Sequence, residues 1–306
     1  QFLRPRNFDC DLALDGIRQM LWGFFKKVVV ADNCALFVNG VFENYQTLDG
    51  STLFLGAFFF TIQIYGDFSG YSDIAIGCAR LFGIDLMQNF KYPYFSRDIA
   101  EFWRRWHISL TTWFRDYIYI PLGGSRAGKW KSFRNTLVIF LVSGFWHGAN
   151  WTFVAWGAYH ALLFLPLLLL GQNRRYRDSV AENSFLPSVK ELTQMGATFL
   201  LVLLGWILFR SEDISQAAVY LERMFNVSLF SAPQLVGLGF GQLLLKKCFF
   251  FTALMFIVEW IGRKQAHGLM IEDLSLPVRY VIYTVLLIII YGFDASNPQG
   301  FIYFQF

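Results

Sequence analysis

Long apolar segments alternate with charged segments along most of the chain. A helix needs about 20 mostly apolar residues to cross a hydrocarbon core of roughly 30 Å. With their apolar or aromatic flanks, several runs reach lengths of this order: Leu53–Ile64 with its more polar continuation Tyr65–Gly83, Leu137–Leu170, Thr198–Phe209, Cys248–Ile261 and Tyr280–Phe293. Leu137–Leu170 is long enough for two short crossings with a bend near Gly144–Asn150. The pattern predicts an all-α, polytopic bundle of transmembrane helices.

The N-terminal apolar segment Gly16–Val38 differs from the others because Lys26 and Lys27 interrupt it. A lysine can bury its methylene groups along apolar surface while its ammonium reaches the polar boundary. We therefore expect this segment either to lie in the membrane interface or to cross the membrane with its lysines extended toward one end.

Asp67 and Asp73 are the other charged residues that are costly in an apolar environment. They are six residues apart and so do not share one face of a helix, and Gly66 and Gly70 suggest a broken or re-entrant path. Such backbone is tolerated at membrane depth only where protein buries it or water lines it. A polar cavity or a charge partner such as Arg80 is therefore expected. Catalysis and helix capping both remain open, and we favour a structural role.

Basic residues concentrate between Lys91 and Lys131, a stretch that contains eight lysines and arginines but only three acidic residues. By the positive-inside rule this stretch is cytoplasmic. Within it, Ser96 can cap a helix that runs to about Tyr119, and Glu101 can pair with basic residues one turn away. Aromatic and apolar residues recur at helical spacing on this helix: Phe102, Trp106, Leu110, Trp113 and Tyr117. This amphipathic helix should lie on the membrane surface or in a protein-lined recess.

The composition supports a membrane protein and excludes several other classes. Of 306 residues, 55% are hydrophobic and 16% charged, whereas soluble domains carry roughly 25% charged residues. The 35 Phe, 14 Tyr and 10 Trp residues suit the two bilayer interfaces. A scattered net charge of +4 argues against nucleic acid, and four cysteines without a C-x-x-C pair suggest neither disulfides nor a metal site. Without internal repeats or linkers, one membrane domain over residues 1–306 is the simplest interpretation.

The chain contains four histidines, and we expect different roles and surroundings for them. His147 lies between glycines in an apolar stretch, where an ionisable group is a functional candidate by default, although a structural hydrogen-bonding role is equally open. For His107, on the amphipathic helix, a solvated or interfacial position is the simpler expectation. We expect His160 to pack in the bundle and His267, in a polar loop, to be solvated.

Several motifs follow one another from residue 65 to the end of the chain. They are Tyr65–Gly77, Phe102–Leu110 with Trp113–Tyr117, Ile120–Arg126, Ser143–Trp151 with Trp156–His160, and Phe209–Ser211 with Phe301–Phe306. In content and order they resemble the motifs of the membrane-bound O-acyltransferase family, and the last pair resembles the branch that acetylates alginate. The Ile120–Arg126 turn lacks a phosphate-loop pattern.

The resemblance implies a helical bundle that lines a tunnel, with His147 as the catalytic histidine and His107 as a second functional histidine. A neutral imidazole can accept a proton from a hydroxyl nucleophile and return one to a leaving thiolate. The candidates for lining the tunnel or the substrate site are Asp67, Asp73, Trp146, Asn150, His160, Arg104 and Arg105. Members of the family have further N-terminal membrane helices, and this sequence starts at Gln1 without an initiator Met. We therefore expect such helices to be missing here.

By the same resemblance, we expect a multi-pass enzyme of a bacterial cytoplasmic membrane that takes acetyl from a cytoplasmic thioester, acetyl-CoA, for O-acetylation of an exported polysaccharide. The expected partners are membrane lipid, the acyl donor, the polysaccharide and an extracytoplasmic acetyltransferase that completes the transfer. No bound cofactor, metal or nucleic acid is expected. The polymer could be alginate, cellulose, another exopolysaccharide or peptidoglycan.

Two alternatives remain open. One is a non-catalytic transporter or channel, in which Asp67, Asp73 and His147 mark a permeation path. The other keeps the enzyme but changes the acyl group, as in the related transfer of D-alanine to teichoic acids. Composition alone does not separate the enzyme from the transporter.

Overall fold

The computed structural model describes residues 8–125, 128–235, 241–293 and 300, and every regular element in this part of the chain is helical. Arg126 and the motif Phe301–Phe306 lie outside the described residues. The α-helices are α1 (Cys10–Phe24), α2 (Asp32–Glu43), α3 (Gly50–Leu81), α4 (Ile99–Arg105), α5 (Ile108–Phe114), α6 (Lys129–His147), α7 (Trp151–Leu169), α8 (Val189–Arg210), α9 (Ile214–Met224), α10 (Gln242–Ile261) and α11 (Leu276–Gly292). Phe25–Ala31 and Arg115–Tyr119 are π-helical, and Pro93–Phe95 and Val227–Phe230 form short 3₁₀ turns.

Two helices of the described residues, α7 and α8, are long and apolar enough to cross a membrane. The predicted bend in Leu137–Leu170 is confirmed, because α6 ends at His147 and α7 begins at Trp151. The predicted crossings near the C-terminus are helical, but α10 carries two lysines and a glutamate, and the apolar α11 has only 17 residues.

The chain divides into two compact units, which we describe separately. The first contains the described parts of Gln1–Asn44, Phe58–Gln88 and Pro233–Gln305, and the second contains Tyr45–Ala57 and Asn89–Ala232. Helix α3 begins in the second unit and continues through the first. The single membrane domain over residues 1–306 stays a prediction.

In the first unit, helix α3 is continuous over 32 residues, so the predicted break or re-entrant path near Gly66 and Gly70 is wrong. The glycines serve close packing instead. A Cβ added at Gly70 would lie 2.7 Å from the carbonyl oxygen of Gly23 on α1, and one at Gly23 would lie 2.6 Å from that of Gly70. Small residues allow helix backbones to approach in this way, which is common in membrane proteins.

Of the two arrangements expected for Gly16–Val38, the crossing with Lys26 and Lys27 extended toward a membrane boundary is wrong, whereas the interfacial position stays a prediction. Both lysines lie in the π-helical segment Phe25–Ala31, and the Lys26 side chain is only 4% exposed. Their ammonium groups turn into the first unit and pair with carboxylates there. Paired burial replaces extension because an opposite charge within contact distance offsets part of the cost of desolvation.

In the second unit, the amphipathic segment is not one helix from Ser96 to Tyr119. Asp98 rather than Ser96 caps α4, its side chain accepting a hydrogen bond from the Glu101 backbone N–H. The chain then breaks after Arg105, and α5 begins only at Ile108. The predicted pairing of Glu101 is confirmed, since its carboxylate lies 3.1 Å from a guanidinium nitrogen of Arg97 and 2.7 Å from one of Arg105.

Helices α6 and α7 form an antiparallel pair across a tight turn, and backbone contact holds them together. A Cβ added at Gly157 would lie closer than 3.0 Å to the carbonyl oxygen of Phe140, and one at Gly144 would meet the carbonyl oxygen of Phe153. Behind this contact Phe140, Ala161 and Leu165 form a buried apolar cluster. The glycines therefore fix the end of α6, where His147 lies.

We expect Gly157→Ala to destabilise the protein, because the added methyl group must push α7 away from rigid backbone of α6. Overpacking of this kind costs typically about 1–3 kcal/mol. The matched control is Gly196→Ala in α8, where nothing lies within 4 Å of an added Cβ. Thermal unfolding of the three proteins in detergent measures the effect. Equal unfolding temperatures for both variants would contradict the proposed contact.

Candidate active site

The second unit places His107 and His147 at breaks between helices. His147 is the last residue of α6, and Asn150, three residues later, caps α7 by accepting a hydrogen bond from the Thr152 N–H. His107 lies in the break between α4 and α5. Both residues are partly exposed.

The backbone of His107 fixes its ring in an uncommon conformation. His107 has a φ of 44°, in the left-handed region that non-glycine residues seldom adopt. From there its Nδ1 accepts a hydrogen bond of 3.2 Å from the Leu110 N–H, so the side chain caps α5. A neutral imidazole that accepts at Nδ1 carries its proton on Nε2. The arrangement thus makes Nε2 of His107 a hydrogen-bond donor.

The indole ring of Trp146 lies next to both histidines. Its centroid is 5.1 Å from that of the His147 ring and 6.5 Å from that of the His107 ring. Trp146 is itself 54% exposed. The two imidazoles are also close enough to interact electrostatically. The structure therefore brings together three residues that the sequence marked separately.

Aromatic rings surround His147 on its other sides. The ring centroids of Phe209, Trp156 and Phe153 lie 5.1, 5.3 and 6.3 Å from that of His147. Sequence reasoning noted Phe209 and Trp156 only as parts of motifs and missed Phe153. Such walls leave few protein groups able to exchange protons with the imidazole, and they keep its surroundings apolar.

His160 is fully buried in α7, which confirms that it packs in the bundle. Its ring centroid lies 4.9 Å from that of Trp103, 5.2 Å from that of Trp156 and 5.3 Å from that of Tyr159. Among the described residues neither ring nitrogen has a hydrogen-bond partner. Because Trp156 contacts both His147 and His160, one indole ring separates the two imidazoles.

The remaining candidates of this unit hold loops in place. Arg104 donates a hydrogen bond of 2.6 Å to the carbonyl oxygen of Asn173, and Arg105 one of 2.9 Å to that of Asp178. The side-chain amide of Asn150 donates to the carbonyl oxygen of Glu212 at 2.6 Å. That these residues line a substrate path stays a prediction.

Asp67 and Asp73 belong to the first unit, where they form ion pairs. Asp67 lies 2.6 Å from the Lys27 ammonium, and Asp73 lies 2.7 Å from the Lys26 ammonium. The prediction of a charge partner is therefore confirmed, but Arg80, the partner suggested for it, pairs with Asp15 instead. The lysines precede the aspartates by some 40 residues, and only the helix packing brings them together.

His267 is not solvated as predicted. It is 2% exposed, and its Nε2 lies 2.9 Å from a carboxylate oxygen of Asp15. The polar loop folds back onto α1, which gives the imidazole a charged partner. No group of three or more His, Cys, Asp and Glu side chains within the described ranges could hold a metal ion.

In the part of the chain that the structure describes, all regular elements are helical, two helices are long and apolar enough to span a bilayer, and two histidines lie beside an exposed tryptophan. This combination fits the class of membrane-embedded enzymes. A sequence model of the membrane-bound O-acyltransferase family matches residues 17–183. The chain belongs to this family and is a membrane protein.

Curated relatives extend the likeness toward the C-terminus. "Probable alginate O-acetylase AlgI" of Pseudomonas aeruginosa is 40% identical over 245 residues, covering 78% of this chain and 45% of the relative. A peptidoglycan O-acetyltransferase of Helicobacter pylori is 37% identical over 74% of this chain and 41% of its own. A teichoic acid D-alanyltransferase of Bacillus subtilis is 29% identical over 66% of this chain and 52% of its own. The chain spans about half the length of these relatives.

The environment of His107, which lies outside both candidate membrane spans, predicts a pH dependence of stability. Burial lowers the pKa of His107 to about 4, against 6.5 for an exposed histidine. As the pH falls from 6.5 to 4, the unfolded chain binds a proton there and the folded chain does not, so stability falls through this window. The loss is at most about 3.4 kcal/mol.

To isolate this effect, the unfolding of wild type and of His107→Gln is compared in detergent at pH 7.5 and pH 4.5. These values lie about one pH unit above and two below the ordinary histidine pKa. Gln keeps hydrogen-bonding capacity but does not titrate in this range. We expect wild type to lose more stability than the variant on acidification. An identical loss in both proteins would show that His107 is exposed enough to titrate normally.

Proposed function

We propose that this protein is a multi-pass O-acetyltransferase of a bacterial cytoplasmic membrane, acting in the O-acetylation of an exported, alginate-like polysaccharide. Its membership of the membrane-bound O-acyltransferase family and its relatives, named as O-acetylases or O-acetyltransferases, support the reaction class. The single observation that carries the proposal is the placement of His147 and His107 next to the same indole ring, that of Trp146.

In this proposal His147 handles the proton of acyl transfer. Its neutral imidazole accepts the proton of an attacking hydroxyl as the oxygen forms a bond to the acetyl carbonyl carbon. As the carbon–sulfur bond breaks, the proton passes to the leaving thiolate. The N–H at Nε2 of His107 would donate a hydrogen bond to the acetyl carbonyl oxygen, where negative charge develops. The aromatic wall would keep water from the acyl group.

The acyl donor in this scheme is a cytoplasmic thioester, acetyl-CoA. The basic stretch Lys91–Lys131, which contains His107, supports a cytoplasmic entry, because lysine and arginine suit both the cytoplasmic face and the donor's phosphates. A helical bundle would form the tunnel that takes acetyl outward, with Asn150 among the lining candidates. A separate extracytoplasmic acetyltransferase would complete transfer to the polymer.

A second candidate is transfer of D-alanine to teichoic acid. The relative of that name in Bacillus subtilis supports it, at lower identity than the relatives named for acetyl transfer. Supplying purified protein with radiolabelled acetyl-CoA or with a D-alanyl carrier thioester separates the two. A non-catalytic transporter would turn over neither thioester.

We expect His147→Gln to lose activity by a factor of about 10²–10⁴, the contribution typical of a positioned acid–base group. Gln keeps much of the size and hydrogen bonding of histidine but cannot shuttle a proton at neutral pH. Release of free thiol from acetyl-CoA by equal amounts of detergent-purified protein measures the loss. Activity within about tenfold of wild type would remove the catalytic assignment.

A matched control lies two residues away on the same helix. Phe145 is 64% exposed, and Phe145→Leu keeps an apolar side chain at the end of α6. It should retain activity within a few-fold of wild type and the same amount of protein in the membrane. Equal losses in both variants would point to disturbance of the helix end instead of lost proton transfer.

We also expect Lys129, at the exposed start of α6, to face the cytoplasm. A single cysteine at this position, in a background without the four native cysteines, should resist a membrane-impermeant thiol reagent in intact cells. It should react after the cells are opened. Rapid labelling in intact cells would reverse the proposed orientation.

A further inference from the structure

The first unit buries an ammonium group between two carboxylates. The Lys26 ammonium lies 2.7 Å from Asp73 and 3.8 Å from Glu259, and it donates a hydrogen bond of 2.9 Å to the Ser69 hydroxyl. The residues come from the π-helical segment, from α3 and from α10. None of them takes part in the proposed acyl transfer, so the cluster requires its own explanation.

The cluster contains more negative groups than positive ones. Within the described residues, Lys26 is the cation that pairs with Asp73 and Glu259, because the neighbouring Lys27 pairs with Asp32 and Asp67 instead. The other groups facing Glu259 are neutral: the Tyr65 hydroxyl on α3 and the Trp22 indole N–H on α1. If both carboxyl groups were ionised, one negative charge would remain uncompensated in the interior.

The two carboxyl groups are not equivalent. Asp73 has the closer contact with Lys26, accepts a second hydrogen bond of 2.7 Å from the Gln19 amide, and its side chain is 14% exposed. Glu259 is 1% exposed, and the Tyr65 hydroxyl lies 2.9 Å from each of its carboxyl oxygens. A close cation and solvent both stabilise a carboxylate, so Asp73 is the better placed of the two to pair with the Lys26 ammonium.

We propose that this cluster is a proton-binding site, in which Glu259 carries the proton and the Lys26 ammonium can pair with either Asp73 or Glu259. With Glu259 protonated, Lys26 balances Asp73 and the cluster is neutral. When Glu259 releases its proton to water, the O–H bond breaks and leaves a carboxylate, and the ammonium moves from Asp73 toward it. The π-helical backbone at Lys26 is of the irregular kind that recurs at functional sites.

Infrared spectroscopy of the detergent-solubilised protein tests the protonation state directly and does not depend on acyl transfer. A protonated carboxyl group gives a C=O stretching band that a carboxylate lacks. We expect one such band at neutral pH that shifts when the glutamates, but not the aspartates, carry ¹³C in their side chains. Glu259→Gln should abolish it, whereas Glu43→Gln, at an exposed position of α2, should not.

A second variant tests the shared ammonium. In Asp73→Asn, Lys26 retains Glu259 as its acidic partner, so Glu259 should ionise and the band should disappear although the glutamate is still present. Raising the pH should also abolish the band in the wild-type protein, and this test needs no substitution. A wild-type spectrum without a glutamate-dependent band at neutral pH would overturn the proposal, as would a band that survives in Glu259→Gln or in folded Asp73→Asn.

Discussion

The close approach of helix backbones at glycines is the constraint on which both units depend. In the first unit Gly23 and Gly70 bring α1 against α3, and in the second Gly157 brings α7 against α6. A methyl group at any of these positions would meet a carbonyl oxygen, which cannot move independently of its helix. Helices that touch at a glycine lie closer together than ordinarily packed helices. This close approach lets side chains on neighbouring helices reach one another.

Both units pair buried charges, but the histidines of the second unit have different surroundings. The first unit pairs its buried charges, with Lys26 and Lys27 each contacting carboxylates from α3. The second surrounds its histidines with aromatic rings, which favour the neutral imidazole because they offer no charge to balance a proton. A neutral imidazole can accept a proton during a reaction, whereas a carboxylate fixed to a lysine resists changing its state.

The sequence predicted those features that depend on neighbouring residues. The break between α6 and α7, the pairing of Glu101 with Arg97 and Arg105, and the burial of His160 follow from local composition and helical spacing. The continuity of α3 could not be predicted in this way. A glycine can either break a helix or let that helix pack closely against another helix, and which of the two occurs depends on a partner distant in sequence. The partners of Lys26 and His267 were missed for the same reason, although Glu259 in an apolar run was a signal of a buried cation.

The geometry around His147 bears on the reaction class more than on the polymer. Relatives named for alginate, peptidoglycan and teichoic acid match between 66% and 78% of this chain, and they differ in the acyl group or the acceptor that their names give. In the proposed mechanism, proton transfer by an imidazole requires only a hydroxyl and a thioester, whatever molecule carries each of them. Selection of acyl group and acceptor must therefore depend on groups that contact the substrate away from the reacting atoms.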